Sequence, residues 1–122
     1  MILVDTSIWI DHLHHFEPSL ADALSRSMVV QHPMVMGELA LGALRDRVAF
    51  LELLADMPEV QVATHAEVLH LVEERHLHGQ GLSLVDAHLL ASMLLTHGVR
   101  LWTRDKTLLK TAKALGLAYF NE

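Results

Sequence analysis

Apolar residues open the chain without alternation: Ile2, Leu3 and Val4 run directly into Asp5, Thr6 and Ser7. An unbroken apolar run marks a strand covered on both faces, the habit of a central strand in a parallel sheet. Ile8, Trp9 and Leu13 follow at helical spacing and predict a helix from Ser7 to His15. Short apolar runs and helical periods then alternate to the end. Residues 18–27 read as a helix, with Pro18 suited to its first turn. Residues 28–30 read as a short strand closed by His32 and Pro33. A helix over 35–44 carries Met36, Leu39, Ala40 and Ala43 at helical spacing. Another spans 45–56 after a break near Gly42, and Pro58 ends it. Residues 60–62 read as a strand. Thr64 and Glu67 match a capping box that opens a helix over 65–78. Beyond the turn at Gly79, Gln80 and Gly81, Ser83 caps a long apolar helix to about His97, where Gly98 stops it. Residues 100–103 form a strand, Asp105 opens a last helix to about Leu115, and 118–120 form an edge strand.

This alternation predicts the α/β class, a sandwich with a mostly parallel central sheet. A length of 122 residues predicts one domain, 1–122. Asp5 then stands at the carboxyl end of a central strand, where open α/β sheets form their ligand crevice.

Composition narrows the chemistry. There is no cysteine, which excludes disulfides and zinc–thiolate sites and suits a reducing compartment. No apolar run approaches the roughly 20 residues of a membrane span, and Met1 enters a strand with no basic leader before it. The expectation is a cytoplasmic protein with no membrane partner. The 52% hydrophobic content leaves apolar surface for a protein partner. A formal net charge of −6 argues against a general nucleic-acid coat. Yet Arg100, Arg104, Lys106, Lys110 and Lys113 put five of the nine Lys and Arg in one C-terminal stretch. Metal-dependent nucleases can be acidic overall, because cations neutralise the site.

Four carboxylates fall at comparable places. Asp5 follows the first strand, Glu38 lies in the helix after the second, Asp86 in the first turn of the long helix, and Asp105 just past the fourth strand. Each has a purely structural reading. Asp5 and Asp105 can cap helices, Asp86 can complete a capping box with Ser83, and Glu38 can be a solvated helix residue. Together they say more. Glu38 and Asp86 lie among apolar residues with no Lys or Arg in either segment, and charges among core residues normally have a partner. Two carboxylates about 5 Å apart at an effective dielectric of about 20 repel by roughly 3 kcal/mol. A divalent cation removes that conflict, and all-oxygen ligands suit Mg²⁺ or Mn²⁺ rather than zinc. The ten histidines contain no His-Glu-x-x-His zinc motif.

With these residues in place, the sequence resembles the PIN-domain ribonucleases, and among them the VapC-type toxins of bacterial toxin–antitoxin pairs. The resemblance rests on residues 2–7, on Gly37-Glu38-Leu39 with Gly42 following, on Ser83-Leu84-x-Asp86-Ala87, and on residues 101–105. It implies a three-layer α/β/α PIN-like fold and a metal-dependent endoribonuclease using Mg²⁺ or Mn²⁺. Asp5, Glu38, Asp86 and Asp105 take the place of the catalytic and metal-binding acids, with the hydroxyls of Thr6 and Thr103 behind them. Arg104 and Lys106 flank Asp105 as candidates for holding the RNA backbone. Ile8, Trp9, Leu13 and Phe16 form an apolar stripe that reads first as core; relatives receive an antitoxin in this region, which makes the four candidates for a partner groove, and a homodimer is expected as well. One departure is visible: relatives often carry a further acid and an aromatic after the last Asp, whereas Lys106-Thr107-Leu108 stand here.

Two other enzyme classes begin similarly. A haloacid-dehalogenase-type phosphatase needs a second Asp where Ser7 stands, and a response-regulator receiver needs an acidic pair where Asp5 is alone. The alternative from another class is a catalytically silent PIN-like module that binds RNA or protein.

Overall fold

A computed structural model describes all residues, Met1–Glu122. Three parallel strands form the sheet: β1 (Ile2–Val4) lies between β2 (Val29–Val30) and β3 (Arg100–Trp102). Leu3 pairs with Val30 on one side and with Leu101 on the other. All three residues of β1 are buried, as their unbroken apolar run requires. Seven helices complete the α/β arrangement: α1 (Thr6–His14), α2 (Pro18–Ser25), α3 (Pro33–Ala40), α4 (Arg47–Ala55), α5 (His65–Glu74), α6 (Leu84–Leu95) and α7 (Lys106–Ala114).

The chain leaves β1 through α1 and α2 to reach β2, then passes through α3 to α6 to arrive at β3 on the opposite side of β1. The direction of winding therefore reverses at β1, and the crevice of such a sheet opens at the carboxyl end of that strand. Asp5 is the next residue.

Several elements are shorter than their sequence pattern suggests. The strand expected at 60–62 is a single bridge between Gln31 and Glu59, and the edge strand expected at 118–120 is a single bridge between Leu101 and Tyr119. Each bridge keeps two backbone hydrogen bonds, and the chain then turns away. Helix α3 begins at Pro33 rather than Val35, because the His32 ring caps it: the Met34 N–H donates to His32 Nδ1 at 2.9 Å. It stops at Ala40, where the Arg47 guanidinium donates to the carbonyls of Ala40 and Gly42. Helix α5 ends at Glu74, before the left-handed His76 (φ 53°). No helix is long and apolar enough to cross a membrane.

Candidate active site

Asp5 leaves β1 while still in the sheet, its N–H donating to the Trp102 carbonyl at 2.9 Å. Its carboxylate then caps α1. The Thr6 N–H donates to Oδ1 at 2.8 Å, the Ser7 hydroxyl to Oδ2 at 3.0 Å, and the Thr103 hydroxyl to Oδ2 at 2.7 Å. The residue is only 6% exposed. Burial raises its carboxyl above the usual range, the three donors pull it back, and the charge of Glu38 pushes it up further.

Two threonines join the acids. Thr103 follows β3, donates to Asp5, and accepts from the Asp105 N–H at 3.0 Å. Thr6, in the first turn of α1, donates from Oγ1 to Glu38 Oε1 at 2.7 Å. Asp105 caps α7, its Oδ1 accepting from the N–H groups of Thr107 and Leu108 at 2.9 and 3.1 Å. Asp86 completes the capping box of α6: its Oδ2 accepts from the Ser83 N–H at 3.0 Å, and the Ser83 hydroxyl accepts from the Asp86 N–H at 3.0 Å. The Asp86 carboxyl is also raised, first by burial, and further by the negative charges of Asp5 and Asp105. The structural reading of the three aspartates is therefore correct, and it does not exclude convergence. Asp5 senses Glu38, and Asp86 senses both Asp5 and Asp105, so the four carboxylates share one field.

None of the four takes part in an ion pair. Glu38, Asp86 and Asp105 each commit one oxygen to the scaffold. Glu38 Oε2, Asp86 Oδ1 and Asp105 Oδ2 accept no hydrogen bond from the protein. An array of hard oxygens with free lone pairs and no cationic side chain fits Mg²⁺ or Mn²⁺ in its donor chemistry. As the side chains lie, no three Asp, Glu or His groups are close enough to enclose a cation.

Some expectations need correction. Glu38 is exposed: its apolar neighbours Val35 and Leu39 face the core while Gly37 and Glu38 face out. Ile8 and Trp9 are 0% and 2% exposed, so the core reading of the stripe holds for them and the partner-groove reading does not. Leu13 and Phe16 remain at the surface, Phe16 at 71%. Arg104 is not free beside Asp105. Its guanidinium donates to Asp11 Oδ2 at 2.6 Å, to Glu17 Oε1 at 2.8 Å and to Glu122 Oε1 at 2.6 Å. Lys106 is exposed and makes no such pair. Sequence reasoning missed Ser7 as a donor to Asp5, although a hydroxyl two residues past a capping Asp is a recognisable turn signal.

Comparison with known proteins identifies the family. The PIN domain family matches residues 2–114. The chain is 48% identical over all 122 residues to proteins named Ribonuclease VapC32 in two strains of Mycobacterium tuberculosis, CDC 1551 / Oshkosh and ATCC 25618 / H37Rv. The match covers 100% of this chain and 98% of each relative. A family match across nearly the whole chain, together with a relative of this identity and coverage, establishes the kinship: the chain belongs to the PIN domain family and, within it, to the VapC-type proteins.

Proposed function

We propose that this chain is a metal-dependent endoribonuclease that hydrolyses RNA phosphodiester bonds, and that it is the toxin of a type II toxin–antitoxin pair. The observation that carries the reading is the hydrogen-bonded linkage of Glu38, Asp5 and Asp105 through Thr6 and Thr103, with no cationic partner on any of the four acids and with one oxygen unused on each of Glu38, Asp86 and Asp105. The relatives named ribonucleases support the substrate class. A catalytically silent module has no use for all four acids, and that alternative is not favoured.

Asp5, Glu38, Asp86 and Asp105 would hold Mg²⁺ or Mn²⁺. When bound, the ion supplies a more acidic water and stabilises charge on the phosphate and the leaving oxygen. The chain's own residues set the geometry. Thr103 and Ser7 fix Asp5 Oδ2, and the Thr6 N–H fixes Oδ1, so this carboxylate cannot swing as substrate arrives. Thr6 restrains Glu38 through Oε1 and leaves Oε2 without a protein partner. Asp86 Oδ1 and Asp105 Oδ2 are the atoms to orient the attacking water and complete the ligand set. Lys106, next to Asp105, holds the RNA backbone.

A groove lined by Ile10, Leu13, His14, Glu38, Leu39 and Arg45, with a volume of about 440 Å³, lies beside the acids. Phe16, just past α1, and Leu41, just past α3, are 71% and 91% exposed and add apolar surface. An apolar antitoxin segment bearing an Arg toward Glu38 fits this groove. Ala66, Ala91, Leu94 and Leu95 line a second apolar groove, between α5 and α6, for the expected homodimer. A single domain at work in the cytoplasm completes the reading. The test is cleavage of single-stranded RNA with and without Mn²⁺ or Mg²⁺. Cutting that needs the added metal supports the proposal; equal cutting in a chelator overturns it.

A further inference from the structure

Most cations of this acidic chain are already engaged. Arg26 pairs with Asp22 at 3.3 Å, Arg47 holds the carbonyls ending α3, and Arg104 holds three carboxylates. Arg100 lies over the Phe120 ring at 5.4 Å, and Lys113 over Tyr119 at 4.6 Å. Of the nine Lys and Arg, only Arg45, Arg75, Lys106 and Lys110 have no such partner. Three of these four line one cleft between the end of α5 and the outer face of α7, with Gln80, Thr107 and Thr111 beside them. The cleft has a volume of about 590 Å³, and no Asp or Glu lines it.

Its position matters as much as its charge. Lys106 and Thr107 follow Asp105 directly, and Gln80 lies in the loop that leads to Ser83 and Asp86. A Cβ at Gly81 would meet Thr107 Cγ2 at 3.9 Å, so that loop rests against the first turn of α7. The cleft therefore adjoins the Asp86 and Asp105 side of the acidic crevice. Three cations around one concavity repel one another until an anion enters, and a chain of phosphates is the anion this crevice presents.

We infer that this cleft is the track for the RNA backbone on one flank of the scissile bond. Arg75, Lys106 and Lys110 contact successive phosphates, and Gln80 and Thr107 add uncharged donors. No aromatic side chain lines it to stack a base, so it reads phosphate rather than sequence. The inference rests on the ribonuclease reading for its substrate.

The test compares wild type with Arg75→Gln/Lys110→Gln; Gln keeps helix propensity while removing charge. Arg26→Gln, at the C-terminal cap of α2 and outside the cleft, is the control. Binding of a single-stranded RNA is measured by fluorescence anisotropy in chelator across a salt series, and cleavage is measured with Mn²⁺. At about 0.7 in log–log salt slope per phosphate contact, two lost contacts flatten the slope by about 1.4 and weaken binding about 25-fold at ~0.1 M salt. KM rises, kcat holds, and the control behaves as wild type. A double variant that binds with the wild-type slope and cuts with the wild-type KM overturns the inference while leaving the ribonuclease reading intact. A wild type that binds but never cuts, with binding lost in the double variant, refutes the ribonuclease reading and supports the track.

Discussion

Thr103→Val removes one hydroxyl and keeps the shape of the side chain. Thr103 is buried, and its Oγ1 does two things: it donates to Asp5 Oδ2 at 2.7 Å and accepts from the Asp105 N–H at 3.0 Å. The substitution leaves the N–H without a partner and takes one of three donors from a buried carboxylate. A hydrogen bond to a charged group contributes about 1.5–3 kcal/mol, and an orphaned buried donor costs about 1–3 kcal/mol. The Ser7 hydroxyl and Thr6 N–H still hold Asp5, so the low end of the combined range applies. We expect a loss of about 2.5 kcal/mol, or about 10 °C in Tm for a chain of this size. The pH dependence has a definite sign. The Asp5 carboxyl stands above its ordinary value in the fold, and the Thr103 bond favours its charged form. As pH falls through the folded pKa the charge is lost and the missing bond matters less, so the gap to wild type narrows toward acid. Urea unfolding at neutral and acid pH measures it, with Thr103→Ser as the variant that keeps the hydroxyl. RNA cleavage should fall about 10–100-fold in Thr103→Val, the usual effect of losing a group that orients a metal ligand. A Thr103→Val protein as stable as wild type, or a gap unchanged by pH, refutes the reasoning.

Two other substitutions probe the frame. His32 is fully buried, with Nδ1 accepting from Met34 N–H and Nε2 facing the Ser92 hydroxyl at 2.9 Å, and burial followed by the charge of His88 lowers it to about 4. Its folded pKa lies below the unfolded value of 6.5, so its contribution is present above that pH and is lost as pH falls toward 4, about 3 kcal/mol in all. Urea unfolding across that window should show a slope that His32→Asn flattens; parallel curves contradict the assignment. Arg104→Met leaves Asp11, Glu17 and Glu122 facing one another, so its Tm should fall at low salt and recover as salt screens them. A Tm equal to wild type throughout the salt series means the cluster adds no stability.

Local signals were legible wherever one short segment contained the whole interaction. The run from Ile2 to Val4 announced a doubly covered strand, and the three-residue spacings Thr64–Glu67 and Ser83–Asp86 announced both capping boxes. The cap positions of Asp5, Asp86 and Asp105 were legible through their places at strand ends and helix starts, whereas Glu38, in the middle of α3, carried no such signal. What escaped depends on residues far apart in sequence. Arg104 looked free beside Asp105 because its partners lie 93, 87 and 18 residues away. The apolar stripe of α1 carried no sign of depth, so Ile8 and Trp9 could not be told from Leu13 by spacing alone. The edge strands were overextended because a β-rich triplet does not reveal how long its neighbour stays beside it.

The central claim is that the acids are a metal site built on helix caps. Asp86→Asn and Asp105→Asn test it most directly, because in each residue one oxygen makes all the scaffold bonds and Asn retains an oxygen for them. Melting with and without Mn²⁺, together with RNA cleavage, is the measurement. The account predicts that Mn²⁺ raises the Tm of wild type but hardly that of the variants. It also predicts that the metal-free variants melt no lower than wild type and that cleavage is lost. Variants that gain as much from Mn²⁺ as wild type and cut RNA equally well would show that these carboxylates are caps and nothing more.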